Sequence, residues 1–154
     1  MRARATVIGL LLASLSSGCS LFFPQRPVDL PPLEERVSPA GVHFVDLVPG
    51  RGEVAVEQGS VVSVHYTGWR EDGVQFDSSH DIGRPLTFTV GKGEVVPGWE
   101  DGMLGMRSGG VRRLTIPPQL AYGEQGLGEH IPPGSTLVLE VQLLELLQSP
   151  APGQ

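Results

Sequence analysis

Apolar and polar residues alternate in several short segments of the chain, which is the pattern of strands that bury one face. The clearest case is Val61–Thr67, which Gly68 ends. Its apolar face holds Val62, Val64 and Tyr66. The same alternation predicts four further strands, built around residues 42–47, 86–90, 111–116 and 137–143. Short, half-buried strands of this kind favour an antiparallel sheet.

A helical spacing marks residues 91–106, where three large apolar side chains recur at positions i, i+4 and i+7: Trp99, Met103 and Met106. Pro97 suits the first helical turn, because its missing N–H would have no intrahelical partner there. Gly102 and Gly105 each weaken an isolated helix by about 1 kcal/mol relative to alanine, so packing must hold this one. Trp99 is therefore either an ordinary core residue or the floor of an apolar pocket. The predicted fold class is α+β, an antiparallel sheet wrapped around one short helix.

Composition narrows the classes of function. The chain has 154 residues, a formal net charge of −6 and one lysine, Lys92, which is a poor match for a nucleic acid. Its one cysteine excludes an internal disulfide and a multi-cysteine metal site. The histidines lack metal-ligand spacing, so we expect no metal and no cofactor. Asp77 and Glu100 could suggest the carboxylate pair of a glycosidase, but nothing else in the sequence supports that interpretation.

Residues 1–18 have the features of a targeting segment: two arginines, an apolar run and small residues ahead of a cleavage point. The apolar run is too short to span a bilayer, which takes about 20 residues. The string LSSGC resembles a bacterial lipoprotein signal, in which Cys19 would become the lipidated first residue. An ordinary secretory signal with an incidental cysteine is the alternative. Ser20 resembles the outer-membrane sorting pattern, so we expect an outer-membrane lipoprotein whose domain lies in the periplasm or at the cell surface.

The rest of the chain divides by composition. Residues 19–39 comprise the lipidated N-terminus and a proline-rich linker, which should be extended and bury little. Residues 40–148 carry the periodic segments and form the predicted domain, and residues 149–154 are a tail.

A series of short motifs follows in order along this domain: VHYTG at 64–68, DG at 72–73, FDSS at 76–79, GKGEVVPGWE at 91–100, AYG at 121–123, IPP at 131–133 and TLVLEVQL at 136–143. Each motif is weak alone, but together they resemble the FKBP-type peptidyl-prolyl cis-trans isomerases over roughly residues 41–147. The resemblance implies a twisted antiparallel half-barrel around the short helix, with a pocket between helix and sheet.

The resemblance also implies which residues form the site. Four would be catalytic: Phe76, Asp77, Trp99 and Tyr122. Seven would bind substrate: Tyr66, Leu86, Val95, Val96, Leu127, Ile131 and Leu139. Many relatives carry aromatic or imidazole side chains where this chain has its three leucines, so we expect a wider and less aromatic pocket. That difference bears on the affinity for macrolides of the tacrolimus or rapamycin type.

An isomerase of this kind needs no nucleophile and no base. Rotation about an X-Pro amide faces a barrier of about 18–20 kcal/mol, and an apolar pocket that excludes water favours the twisted form over the more polar planar one. The Val96 N–H and the Tyr122 hydroxyl would bond substrate carbonyls. Asp77 either stabilises the twisting amide or only orients the Tyr66 hydroxyl, which would otherwise be buried without a partner.

The sequence thus predicts a monomeric prolyl isomerase that acts on X-Pro-containing polypeptides and assists the folding of extracytoplasmic proteins. A non-catalytic module that binds proline-containing segments or a partner protein is the alternative. Retention of Asp77, Tyr122 and Trp99 together favours the enzyme, because binding alone tolerates changes at Asp77.

Overall fold

The computed structural model describes residues 33–150. The elements in chain order are β1 (Glu35–Val37), β2 (His43–Val48), β3 (Val61–Arg70), β4 (Gln75–Ser78), α1 (Ser79–Ile82), β5 (Leu86–Thr89), α2 (Pro97–Met103), β6 (Val111–Ile116), a 3₁₀ turn (Pro118–Leu120) and β7 (Leu137–Gln148). The predicted signal peptide, the predicted lipidation site Cys19 and most of the proline-rich segment lie outside the described residues. In the described part of the chain, no helix has the length and apolar character needed to cross a bilayer.

The strands form one antiparallel sheet in the order β1-β2-β6-β7-β3-β4, and β5 also pairs with β3. The sheet is open, and α2 packs against it, so the predicted α+β half-barrel is confirmed. The alternation in β3 is also confirmed, since Val62, Val64 and Tyr66 are buried while the intervening side chains are half-buried. Leu114 and Ile116 of β6 face the same core.

The described fold differs from the sequence prediction at its start. Residues 35–37, predicted as linker, form β1 and pair with residues 43–45 of β2. All three residues of β1 are exposed, so the strand leaves no apolar pattern in the sequence; backbone pairing with β2 and the surface contacts of Arg36 with Asp46 and of Glu35 with His43 hold it in place. The sheet therefore begins inside the segment that was predicted to have no folded role.

Two further corrections concern β3 and its neighbour β4. Gly68 does not end β3, which continues to Arg70. A β-carbon at Gly68 would lie 2.6 Å from Cζ of Phe76 and 2.9 Å from Cδ2 of Leu139, so only glycine lets these two side chains approach across the strand. Strand β4 and helix α1 were not predicted, because the first has four residues and the second is a single turn capped by the Ser78 hydroxyl.

Helix α2 begins at Pro97 as predicted and ends at Met103, so Met106 is buried beyond the helix. Its two internal glycines lie against β6. A β-carbon at Gly98 would come within 2.3 Å of Cγ2 of Ile116, and one at Gly102 within 2.9 Å of the Leu114 side chain. The glycines lower the helix propensity of α2, but they let its backbone pack directly on the sheet.

Candidate functional site

A cleft of about 200 Å³ lies between the start of α2 and the sheet. Its walls combine aliphatic and aromatic side chains with two carboxylates and two phenols. The lining residues are Tyr66, Phe76, Asp77, Leu86, Glu94, Val95, Val96, Trp99, Tyr122, Leu137 and Leu139. Nine of the eleven residues predicted for the site therefore line one cleft.

Trp99 borders the cleft from the first turn of α2 and is 6% exposed. Its ring meets Tyr66 edge-on with centroids 4.7 Å apart, and Phe88 in the same manner at 5.7 Å. Such edge-to-face pairs add about 0.5–1.5 kcal/mol each beyond area burial. Trp99 thus belongs to the core and to the cleft wall at once, and the two predicted alternatives hold together. Among the residues described, its buried Nε1 has no hydrogen-bond partner.

Asp77 and Tyr66 form a hydrogen-bonded pair beside Trp99. The Tyr66 hydroxyl donates to Oδ2 of Asp77 at 2.7 Å, and the Ser78 backbone N–H donates to Oδ1 at 2.9 Å. Burial, followed by the hydrogen bond to Asp77, raises the pKa of Tyr66 well above its usual range. The phenol therefore stays protonated, and both carboxylate oxygens already have protein partners.

Two polar groups of the cleft are left available to a ligand. Within residues 33–150, neither the Tyr122 hydroxyl nor the Val96 N–H has a hydrogen-bond partner. Burial, and then the nearby Asp77 charge, raises the pKa of Tyr122, so its hydroxyl remains a donor at neutral pH. Val96 is the N-cap of α2, where backbone N–H groups lack intrahelical acceptors.

The aliphatic wall differs from the predicted one in its membership. Leu86 and Leu139 line the cleft, but Leu127 is 50% exposed and Ile131 is fully buried beneath the surface, and neither is among the lining residues. The two are joined by backbone hydrogen bonds, from the Leu127 N–H to the Ile131 carbonyl at 2.7 Å and in return at 3.2 Å. This pairing places Ile131 behind the wall instead of on it.

Sequence reasoning missed two lining residues, Leu137 and Glu94. Leu137 lies two residues before Leu139 on the same face of β7, so the alternation of that strand contained the signal. Glu94 follows Gly93 in the approach to α2 and accepts a hydrogen bond from the Thr89 N–H at 3.2 Å. Across residues 33–150, no cluster of three or more His, Cys, Asp or Glu side chains could hold a metal ion.

Comparison with known proteins places this cleft in a recognised family. Residues 52–144 match the family model described as FKBP-type peptidyl-prolyl cis-trans isomerase. An "FK506-binding protein" of Neisseria meningitidis serogroup B is similar at 49% identity, over 70% of this chain and 98% of the relative. Strands β1 and β2 precede the stretch that the family model matches.

Two solved structures are similar in fold. The crystal structure of AtFKBP13 has a TM-score of 0.68 and 44% sequence identity, covering 73% of this chain and 98% of that one. The crystal structure of FkpA from Escherichia coli has a TM-score of 0.67 and 40% identity, covering 75% of this chain and 53% of that one.

Proposed function

The chain belongs to the FKBP-type peptidyl-prolyl cis-trans isomerases, and we propose that the cleft at the start of α2 is where it isomerises X-Pro bonds. The observation that carries this proposal is a cleft with an apolar wall and two hydrogen-bond donors, Val96 N–H and Tyr122 Oη, that have no partner among residues 33–150. The cavity accepts a proline ring against the Trp99 indole, with Phe76 and Val95 beside it. The two donors hydrogen-bond to carbonyls of the substrate and fix its orientation.

The rate gain comes from removing water around the amide. In water the planar amide is favoured by solvation of its polar carbonyl, and rotation takes tens to hundreds of seconds. Inside the cleft that solvation is lost, while the twisted amide, whose carbonyl is less polar, loses less. The enzyme thus needs no covalent step, and the side chains act by exclusion of water and by orientation.

Asp77 acts in this scheme by holding Tyr66. Both of its carboxylate oxygens already accept hydrogen bonds, from Tyr66 and from the Ser78 N–H, which supports the orienting role over direct contact with the amide. The Tyr66 ring in turn packs edge-on against Trp99. Loss of the carboxylate would therefore loosen the wall next to the proline ring.

The same cleft is the proposed site for macrolides of the tacrolimus or rapamycin type. The Neisseria relative carries FK506 in its name and aligns with this chain over 108 residues. The wall of Leu86, Leu137 and Leu139 offers aliphatic contacts only, so we expect weaker binding than to an aromatic wall. Calorimetric titration with FK506, repeated on Leu86→Phe, tests this, and tighter binding by the variant is the expected result.

We also propose that the protein is an outer-membrane lipoprotein anchored through Cys19, and that a single copy is active. The lone cysteine after a small-residue cleavage site supports the anchor, and acyl chains contribute about 0.8 kcal/mol per buried CH₂. Cys19→Ser should move the protein out of the membrane fraction. An unmodified Cys19 by mass spectrometry would contradict lipidation.

The activity itself is tested by exchange NMR on an Ala-Leu-Pro-Phe peptide mixed with the purified protein. The expected result is faster cis-trans exchange at substoichiometric protein. A module that only binds would shift peptide resonances without accelerating exchange. No acceleration at stoichiometric protein would overturn the proposal.

A further inference from the structure

Strand β6 buries a charged side chain among apolar ones. Its core-facing positions are Arg112, Leu114 and Ile116, and Arg112 is only 4% exposed. An arginine is rarely buried unless it is fully paired, because desolvating the charge is costly. Burial lowers the pKa of Arg112 to about 10, so the guanidinium is still charged near neutral pH.

The guanidinium bonds to two separate parts of the fold. Nη1 donates to the carbonyls of Gly102 and Leu104, at 2.9 Å each. On its other side, Nε donates to Oδ1 of Asp46 at 2.6 Å and Nη2 to Oδ2 at 3.2 Å, a bidentate pair. The group also lies 4.2 Å from the ring centroid of Phe44. Arg112 therefore joins β2 and β6 to the end of α2.

The C-terminal end of helix α2 has few stabilising interactions of its own. It contains seven residues, has no basic residue in its last turn, and ends at Leu104 without a left-handed cap. Two backbone bonds close it, from the Leu104 N–H to the Asp101 carbonyl at 3.2 Å and from the Met106 N–H to the Met103 carbonyl at 3.0 Å, but neither reaches the Gly102 or Leu104 carbonyl. The orphan carbonyls of a helix end need partners, and a cation there also opposes the helix dipole. Arg112 supplies both the hydrogen-bond donors for these carbonyls and the positive charge.

A second contact ties α2 to the same N-terminal region. The Ser38 hydroxyl donates to Oδ2 of Asp101, and it also accepts a hydrogen bond from the Val42 N–H at 3.0 Å. The rear of α2 is thus fixed from β6 and from the β1–β2 region, which lies outside the family-matched stretch. The opposite end of α2 carries Trp99 and Val96 of the cleft.

We propose that Arg112 is a positioning residue for the isomerase reaction. It sets the orientation of α2, and through it the placement of the Trp99 indole and the Val96 N–H. The inference rests on the proposed function of the cleft. A two-turn helix moves as a unit, so a displacement at its end shifts the cleft wall, and misplacement of about 1 Å can cost up to about 100-fold in rate.

The test compares Arg112→Lys, Arg112→Gln and Asp46→Asn with the control Arg113→Gln. Arg113 is the next residue on β6, points to the opposite face with a side chain 51% exposed, and pairs with Glu140. The control therefore removes an arginine and an ion pair without touching α2. The readouts are kcat and KM on an X-Pro peptide, thermal unfolding, and the ¹H–¹⁵N signal of the Trp99 indole, assigned with Trp99→Phe.

We expect Arg112→Gln to lower kcat/KM by about tenfold, a loss of about 1.4 kcal/mol of transition-state stabilisation, at temperatures where the variant remains folded. Arg112→Lys should recover part of that loss, because it keeps the charge at the helix end. The Trp99 indole signal should move in both, whereas the signal of the second tryptophan, Trp69 near the end of β3, should not. Arg113→Gln should match the wild type in every readout.

A purely structural role predicts something else: lower unfolding temperatures with unchanged kcat/KM and an unmoved Trp99 signal in the folded variants. That result would overturn the proposal. If the Arg112 variants do not fold, Asp46→Asn decides whether Arg112 positions α2. It keeps the arginine and its bonds to the Gly102 and Leu104 carbonyls, but it weakens the pairing of Arg112 with Asp46. The indole signal is read without substrate, so an inactive wild type would overturn the proposed function while the signal still decides whether Arg112 positions Trp99.

Discussion

The two ends of helix α2 differ in how completely their polar groups are satisfied. We call the end of α2 that Arg112 binds the clamp end. The polar groups in that contact all have a partner within the protein: the carbonyls of Gly102 and Leu104 and the charges of Arg112 and Asp46. At the cleft end, three donors have none among the described residues: the Val96 N–H, the Tyr122 hydroxyl and the Trp99 Nε1. The Trp99 Nε1 is buried, while Val96 and Tyr122 are half-buried at the cleft surface, so this is the end of α2 where a ligand can reach free donors.

The largest effect should come from removing the aromatic wall of the cleft end. Trp99→Ala deletes a ring that packs on Tyr66 and Phe88, and losses of about 3–5 kcal/mol in unfolding free energy are typical of such changes. Isomerase activity should fall to near background at temperatures where the variant is folded. Chemical denaturation measures the change in unfolding free energy, and exchange NMR measures the isomerase activity. A stable variant with wild-type activity would show that Trp99 is neither wall nor core.

The glycines between the two ends give the next effect. Gly98→Ala brings its β-carbon within 2.3 Å of Ile116 and 3.0 Å of the Leu120 carbonyl, so overpacking of about 1–3 kcal/mol outweighs the better helix propensity of about 1 kcal/mol. Gly102→Ala meets side-chain methyl groups, those of Leu114 at 2.9 Å and one of Val42 at 3.3 Å, and should cost less because none of its nearest contacts is a backbone atom. Equal stability of the two variants by urea unfolding would contradict the direct contact of α2 with β6.

Sequence reasoning succeeded for features that depend on residues close together in the chain. The alternation of Val62, Val64 and Tyr66 and the spacing of Trp99 and Met103 depend only on local geometry, so they predicted the sheet and the helix correctly. The family resemblance then gave nine of the cleft residues, and eight of these lie within the motifs, because neighbours in a motif keep their relative positions on a strand or helix.

Other features depend on partners that are distant in the chain. Strand β1 is exposed on every residue, so only its pairing with β2 reveals it. Arg112 interrupts the apolar face of β6, and its burial makes sense only with Asp46, 66 residues away. Leu127 was expected in the wall from the family resemblance, yet its pairing with Ile131 leaves it half exposed outside the cleft.

Two substitutions at the cleft end separate hydrogen bonding from packing. Tyr122→Phe should lower kcat/KM by about five- to tenfold, since a hydrogen bond is worth about 1 ± 0.5 kcal/mol, and leave the unfolding free energy unchanged.

For Asp77, a double-mutant cycle with Tyr66→Phe isolates the pair joined at 2.7 Å. If Asp77 orients Tyr66, Asp77→Asn should change kcat/KM by less than about twofold in the Tyr66→Phe background. A full loss there would mean that the carboxylate acts on the amide directly.

Substrate preference tests the leucine wall of the cleft. Burying apolar surface against Leu86, Leu137 and Leu139 contributes about 25 cal/mol per Å², whereas a charge would be desolvated without a partner. Leu-Pro and Phe-Pro peptides should therefore turn over faster than Glu-Pro peptides. Values of kcat/KM across an Ala-Xaa-Pro-Phe series check this. Equality of Leu and Glu within about twofold, or ~0.4 kcal/mol, would show that the wall does not read the preceding side chain.

The smallest effect concerns pH. The chain has only two tyrosines, and both Tyr66 and Tyr122 have a raised pKa through burial and Asp77. The folded state therefore holds these protons more tightly than the unfolded state, so stability is unaffected below about pH 10 and falls as pH rises above it. Tyrosinate absorbance should titrate above pH 10 in the native protein. A native midpoint at the value of the unfolded chain would contradict the buried pair.

The difference between the two ends of α2 is tested most directly by titrating ¹⁵N-labelled protein with an Ala-Leu-Pro-Phe peptide. We predict that the backbone signal of Val96 and the indole signal of Trp99 shift with peptide, while the amides of Gly102 and Leu104 at the clamp end stay in place. Shifts confined to the clamp end, or spread over the exposed faces of the sheet with Val96 and Trp99 unmoved, would contradict the assignment of the cleft as the site of X-Pro binding.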